Sequence, residues 1–258
     1  MDILHNGAIA LYHGDCLDVM RDIPDGSVDS IICDLPYGVT SCKWDSVIPF
    51  EPMWIHLKRI IKPRGAIVLF GSQPFTSALV MSNVGMFKYQ WVWEKERGTG
   101  FARVAYQPMR VIEDICVFSL STPNYYPMLK NLDRPYKHAL PIHKSNSDRV
   151  SSKNLTGEGS RIYKTYTHSH PVNLLRFARD SKKIHPTQKP VALLEYLIRT
   201  YTNADETVLD FTFGSCSAGV AALNTKRRFI GIERDAAYYA LGVQRVQTAI
   251  DNLPPMDV

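Results

Sequence analysis

Apolar residues recur along this chain at two spacings. Short runs read as strands: "AIALYHGD" (8 to 15), "SVDSIICDLPYG" (27 to 38), "GAIVLFGS" (65 to 72), "YQWVWEK" and "EDICVFS". Between them, "FEPMWIHLKRIIKP" (50 to 63) has helical spacing at Met53, Trp54, Leu57, Ile60 and Ile61 and a stop at Pro63. "TSALVMSNVG" (76 to 85) predicts a short helix with glycine at its end. From Ser121 to about Lys183 periodicity fades into Pro, Asn, Ser, Tyr and His. That is too long for an ordinary connection within a domain, so it is either a disordered stretch or a functional insertion. Tyr125, Tyr126, Tyr136, Tyr163, Tyr166 and Phe177 argue for at least partial order. Regularity then returns with a helix at 191 to 202, a strand at 206 to 214, the helix "SAGVAALNTK", the strand "RRFIGIE" and the helix "AAYYALGVQRVQTAI". Alternating strands and helices predict an α/β fold: a mostly parallel sheet covered on both faces. The expected divisions are 1–120, an insertion at 121–183, and 184–258.

Composition narrows the class. With 258 residues, 45% of them hydrophobic, the chain can bury a full core. No apolar run approaches the roughly 18 residues of a membrane span. The N-terminus lacks the pattern of a signal peptide, and cysteines 16, 33, 42, 116 and 216 form no Cys-x-x-Cys pair. These features lead us to expect a cytoplasmic protein without a zinc site or disulfide framework. The net charge is +5, unevenly spread. Ser121 to Lys189 holds thirteen Lys and Arg against four Asp and Glu, a surplus of nine, which leaves the remainder at −4. An acidic body with one basic segment fits a polyanion partner, or else a solvated basic loop.

Two turns carry candidate chemistry. In "VLDFTFGSCSAGVAAL" a strand meets a helix through Gly214, with Gly219 following and Cys216 at the middle glycine position of a dinucleotide fingerprint. Glu233 lies 19 residues after Gly214, near the offset at which an acid meets ribose hydroxyls. No Gly-Lys-Ser/Thr is present, so the turn suits a nucleoside with a short charged tail rather than a triphosphate. The other turn is Asp34-Leu35-Pro36-Tyr37. Asp34 is an acceptor, Pro36 holds Leu35 extended so that its carbonyl has a fixed direction, and Tyr37 offers a flat face. Two fixed acceptors beside a flat face suit an exocyclic amino group on a planar base. Accepting its N–H bonds out of the ring plane favours the tetrahedral nitrogen of a transition state, and a nearby electrophile adds proximity.

These residues resemble the S-adenosylmethionine-dependent DNA amino-methyltransferases, whose hallmark is [Asp/Asn/Ser]-Pro-Pro-[Tyr/Phe]. Leu35 stands at the first proline. "VLDFTFGSCSAGVAALNTKRRFIGIE" is similar to the family's cofactor motif and following acidic strand, "HGDCLDVM" (13 to 20) to its adenine-contacting segment, and "HPTQKP" (185 to 190) to the segment closing over the methionine end. Their order is that of the group called β, and the match spans nearly the whole chain outside the variable segment. The resemblance implies a Rossmann-like methyltransferase sheet and adenine N6 as the methyl acceptor. It implies that Asp34, Leu35, Pro36 and Tyr37 grip the target base. Asp15 and the Cys16 amide would meet cofactor adenine, Glu233 the ribose, and Asp210, Phe211, Gly214 and Ser215 the methionine part. Thr187, Gln188 and Lys189 would approach its carboxylate, while Gly71 and Ser72 would line the pocket floor. A flipped-out base in double-stranded DNA is implied, with 121–183 as the basic target-recognition insertion. Lys130, Arg134, Lys137, Arg149 and Arg161 are its candidate DNA contacts. Trp44 either wedges near the base or packs. Cys216 would place a Cβ near the ligand and weaken its binding. The resemblance leaves room for a homodimer and a cognate restriction nuclease.

Three other readings stay open at this point. One is cytosine N4, for which relatives more often carry Ser at the first position. Another is RNA or a protein amide, whose relatives use Asn-Pro-Pro-Tyr. The last is a DNA-binding module that has lost catalysis.

Overall fold

A computed structural model of the chain describes residues 1–38, 46–139, 163–180 and 188–253. Trp44, Arg149, Arg161 and Thr187 lie outside these residues. The chain divides into two compact units, Met1–Tyr126 with Val172–Val258, and Pro127–Pro171. In chain order the elements are β1 (Asp2–Leu4), β2 (Ile9–His13), α1 (Cys16–Val19), β3 (Val28–Asp34), α2 (Phe50–Ile60), β4 (Ile61–Gly71), α3 (Phe75–Ser82), β5 (Phe87–Thr99) and β6 (Arg110–Phe118). There follow β7 (Lys130–Ala139), β8 (Tyr163–Ser169), β9 (Leu174–Arg176), α4 (Val191–Tyr201), β10 (Thr207–Asp210), α5 (Ser217–Asn224), β11 (Arg228–Glu233) and α6 (Ala236–Asp251).

The described part of the larger unit is built on one nine-stranded sheet, ordered β1-β2-β11-β10-β3-β4-β6-β5-β9. Its middle, β2 to β4, is parallel. Antiparallel pairing enters with β1 on one side and with β6 and β5 on the other. The central strands are buried on both faces, so their side chains supply two cores at period two. On β4, Ala66, Val68 and Phe70 join the core under α4, α5 and α6. Ile67 and Leu69 join the core under α1, α2 and α3. This is the expected α/β architecture.

Differences from the sequence expectation are local. The helix starting at Phe50 ends at Ile60, because Ile61 is already paired with Val28 as the first residue of β4. The segment without periodicity contains β7, β8 and β9. In the smaller unit, β7 and β8 pair antiparallel, and Tyr136 stacks on Tyr166 with ring centroids 5.3 Å apart. This ribbon offers no alternation of buried and exposed positions for a sequence to display. Lys130, Arg134 and Lys137 all lie on β7. Among the described residues no helix is long and apolar enough to cross a membrane.

Cys216 departs from expectation most clearly. It caps α5 in the left-handed conformation (φ 55°, ψ 38°), where a side chain ordinarily costs about 1–2 kcal/mol. Its side chain is fully buried and is absent from the walls of the cavity described below. The thiol instead packs toward Gly219, where an added Cβ would sit 2.5 Å from Cys216 Sγ and 3.1 Å from Phe229. On the other side is Gly242 of α6, whose Cβ would lie 3.1 Å from Cys216 Cβ. The residue therefore fills space between two helices and does not crowd a ligand. We expect Gly219→Ala to lower stability by about 1–3 kcal/mol, seen as a drop in Tm. Adding Cys216→Gly should recover part of that loss; a double variant no more stable than Gly219→Ala would refute this packing account.

Candidate active site

β3 and β10 run parallel side by side, with Val208 opposite Ser30 and Leu209 opposite Ile31. From β3 the chain passes through α2 to β4. From β10 it passes through α5 to β11, on the other side. The diverging exits leave a crevice beyond the C-terminal strand ends, where open α/β sheets bind ligands. Asp34 is the last residue of β3 and Asp210 the last of β10. A cavity of about 460 Å³ opens there. Its walls include Asp15, Cys16, Asp34, Leu35, Pro36, Tyr37, Gln188, Lys189, Asp210, Phe211, Gly214, Ser215 and Glu233. Residues from five separate stretches of sequence thus meet in one pocket. Gly71 and Ser72 do not line it. Gly71 packs against Thr76, and Ser72 Oγ is 3.5 Å from Arg110.

The turn after β3 is firmly built. The Leu35 side chain is buried in the core, so the position normally held by proline anchors the turn through packing. The Tyr37 hydroxyl donates to Asp34 Oδ1 at 2.7 Å, and its ring packs on Phe75 at 5.0 Å. Thr212 ties this turn to the β10 loop, donating from Oγ1 to the Asp34 carbonyl at 2.9 Å and touching Cys33 Sγ at 2.9 Å.

Lys189 is turned toward the same carboxylate. Its Nζ lies 2.6 Å from Asp34 Oδ2, 3.2 Å from Glu113 Oε2 and 5.1 Å from the Phe70 ring centroid. Lys95 Nζ bonds the other oxygen of Glu113 at 3.0 Å. Two carboxylates and two ammonium groups therefore alternate along one wall. Burial raises the Asp34 carboxyl above its usual range, which Lys189 only partly offsets and Glu113 reinforces. For Glu113 burial also works upward, but Lys189 and Lys95 hold it below the ordinary value. Burial pulls Lys189 down, and the two carboxylates more than offset that.

Elsewhere the site is held by backbone amides. Glu233 accepts from Gly214 N and Asp235 N, both at 2.8 Å, and burial raises its carboxyl. Asp15 caps α1 by accepting from Leu17 N at 2.8 Å. Gln188 donates to Asp180 at 2.8 Å, and Arg245 donates to Ser215 O at 2.9 Å and Ser217 Oγ at 2.8 Å.

Lys95, Glu113, Thr212, Asp180 and Arg245 were not anticipated. For two of them the sequence held a signal. Trp91, Trp93 and Lys95 alternate inward on β5, as do Glu113, Ile115 and Val117 on β6. A charged residue continuing an inward-facing series marks a buried ionic group. Thr212 and Arg245 depend on contacts distant in sequence, and Asp180 on a bond across residues that show no periodicity.

Asp210 is pushed up to about 7 by burial, against an ordinary 3.8, although the Thr212 amide bonds it. Between these values the folded protein keeps a proton that the unfolded chain has lost. The group's contribution to stability is therefore present below about 3.8 and lost as pH rises through about 7. Asp210→Asn should raise the Tm of the ligand-free protein at pH 8 by an amount worth on the order of 2–4 kcal/mol. The gain should vanish near pH 4; an equal gain at both pH values would contradict a buried acid.

Comparison with known proteins agrees with this geometry. The family model described as "DNA methylase" matches residues 28–244. DNA adenine methyltransferase YhdJ of Escherichia coli (strain K12) is 27% identical over 95% of this chain and 84% of its own length. The structure of the M1.HpyAVI–SAM complex is similar with a TM-score of 0.61 at 22% identity, covering 92% of this chain and 99% of that one. The cytosine-N4-specific PvuII DNA methyltransferase superposes with a TM-score of 0.65 at 17% identity, covering 97% and 90%. At such identities the two structures speak for the fold. The chain belongs to the N6/N4 DNA methylase family, the S-adenosylmethionine-dependent enzymes that methylate exocyclic amino groups of DNA bases.

Proposed function

We propose that this enzyme methylates N6 of adenine in double-stranded DNA, acting on a base turned out of the helix. One observation carries the reading: the Asp34 carboxylate, oriented by the Tyr37 hydroxyl, opens into the same cavity as the Gly214 turn and Glu233. Aspartate at the first position of the tetrapeptide favours adenine over cytosine N4. The adenine specificity named for YhdJ points the same way.

S-adenosylmethionine, when bound, supplies a methyl group made electrophilic by its sulfonium. The residues fit such a ligand. Asp15 and Glu233 offer acceptors for amine and hydroxyl groups. Ser215 and Ser217 flank the start of α5, where amides favour a carboxylate. The buried acids Asp34 and Asp210 favour a cation. We assign Asp15 and the Cys16 amide to adenine, Glu233 to ribose, and Asp210, Phe211, Gly214, Ser215 and Gln188 to the methionine end. On the acceptor side, Asp34 and the Leu35 carbonyl take the two amino hydrogens, and the Tyr37 ring stacks on the base. This turns the nitrogen lone pair out of the ring and toward the donor. As the nitrogen gains carbon it becomes cationic. Asp34 stabilises that charge, and the surplus proton leaves along its hydrogen bond to solvent.

Residues 121–183 are proposed as the target-recognition region. Lys130, Arg134 and Lys137, on one strand of a tyrosine-braced ribbon, provide phosphate contacts. Arg149 and Arg161 are assigned there by sequence alone.

Incubation with labelled S-adenosylmethionine and unmethylated genomic DNA, followed by digestion to nucleosides, should put the label in N6-methyladenine. Label in N4-methylcytosine would change the base. Asp34→Ala should lower turnover by about 10²–10³-fold while cofactor affinity stays within a few-fold. Lost affinity instead would give Asp34 to the cofactor or the fold.

A further inference from the structure

Asp34 faces a conflict in the structure. Its Oδ1 accepts from Tyr37 and its Oδ2 holds Lys189 at 2.6 Å. A carboxylate neutralised by an ammonium is a weak acceptor for an amino group. An ammonium at that spot also opposes the positive charge that develops on the methylated nitrogen. With Lys189 in place, such a grip would be weakened by its own neighbour.

A second position for Lys189 is already built. Glu113 Oε2 is buried and, among the described residues, has no hydrogen-bond partner, although Lys189 Nζ lies 3.2 Å away out of alignment. Its other oxygen is held by Lys95 at 3.0 Å, so the carboxylate is fixed and charged while one acceptor stays open. Lys95 and Lys189 are both nearly fully buried, which keeps water from competing for that acceptor. A small rotation of the ammonium exchanges one carboxylate for the other without exposing charge.

We propose that Glu113 is a positioning residue: it draws the Lys189 ammonium off Asp34 when the target amino group arrives, leaving Asp34 as a free anion beside the reacting nitrogen. Lys95 keeps Glu113 in place for this exchange. The exchange moves charge without changing the total: Glu113 then faces both ammoniums, a local surplus of one positive charge, and Asp34 is left to pair with the cation formed in the reaction. The inference rests on the reading that Asp34 grips the target amine. It assigns Lys189 to the base side of the cavity instead of the cofactor carboxylate.

Among the described residues, the charged and titratable groups around Asp34 are Cys33 and Tyr37 beside it in the chain, Lys95 on β5, Glu113 on β6, Lys189 ahead of α4 and Asp210 on β10. Removing Lys189 and removing Glu113 should move the Asp34 carboxyl in opposite directions, since the first lowers it and the second raises it. This gives a readout that a scaffold role does not share.

The test uses the full-length protein with saturating S-adenosylmethionine and unmethylated genomic DNA. Glu113→Gln should lower kcat by about tenfold or more with cofactor affinity within twofold, because the ammonium stays on Asp34. The acid limb of its pH–rate profile should move to lower pH, and that of Lys189→Gln to higher pH. Glu113→Asp should retain more activity than Glu113→Gln. At pH 9 the double variant Glu113→Gln/Lys189→Gln should be faster than Glu113→Gln alone, since no ammonium is left to block Asp34. A wild-type kcat and profile for Glu113→Gln, a rate loss matched by lost cofactor affinity or Tm, or a double variant slower than the single overturns the proposal. Asp34→Ala separates the two levels. If it keeps turnover, the grip itself is wrong. If it is inactive while Glu113→Gln is normal, only the role of Glu113 falls.

Discussion

Two adjacent parallel strands, β3 and β10, send the chain away in opposite directions, and the site depends on that divergence. Among the described residues, side chains from both loops turn into the one space beyond their ends. Asp34 and Asp210 occupy equivalent places, each the last residue of its strand. Thr212 clamps the two ends together through the Asp34 carbonyl. The flanking strands bring in the rest. β2 leads into the turn bearing Asp15, β11 ends at Glu233, and β5 and β6 contribute Lys95 and Glu113.

Grouping Asp34, Asp210 and Glu233 in a cavity works against folding, because burial raises each carboxyl. The structure meets that cost in different ways. Glu233 is held by two backbone amides, Asp210 by one, and Asp34 by a lysine and a tyrosine. Amides are fixed in place. A lysine side chain can turn, and Asp34 is the acid that has to change partners if it grips a base.

The tetrapeptide departure at Leu35 and the turn departure at Cys216 have related explanations. Both side chains point into core, Leu35 beneath the β3 turn and Cys216 between α5 and α6. Leu35 also lines the cavity, whereas Cys216 does not. Substitution is tolerated where the buried space suits the new side chain. For Cys216 that space comes from Gly219 and Gly242.

Much of this molecule was legible in its sequence. Period-two and helical spacings gave the central strands and the longer helices, because burial on a regular element leaves a regular trace. Asp34 to Tyr37, Gly214 and Glu233 could be singled out because their chemistry is local: a rigid turn, a glycine hinge and an acid at a strand end. The ribbon of β7 and β8 left no such trace, since its described residues are exposed or only half-buried, and the thiol of Cys216 could not be aimed without knowing where α6 lies. Lys189 could be seen, but the resemblance placed it at the cofactor's carboxylate and not beside Asp34. Its position between Asp34 and Glu113 joins residues 155 apart in sequence for the first pair. The sequence by itself determined which groups could act and on which elements they ride. Only the tertiary structure decided which charges face each other, because that depends on strand order, and strand order is set by how distant segments pack.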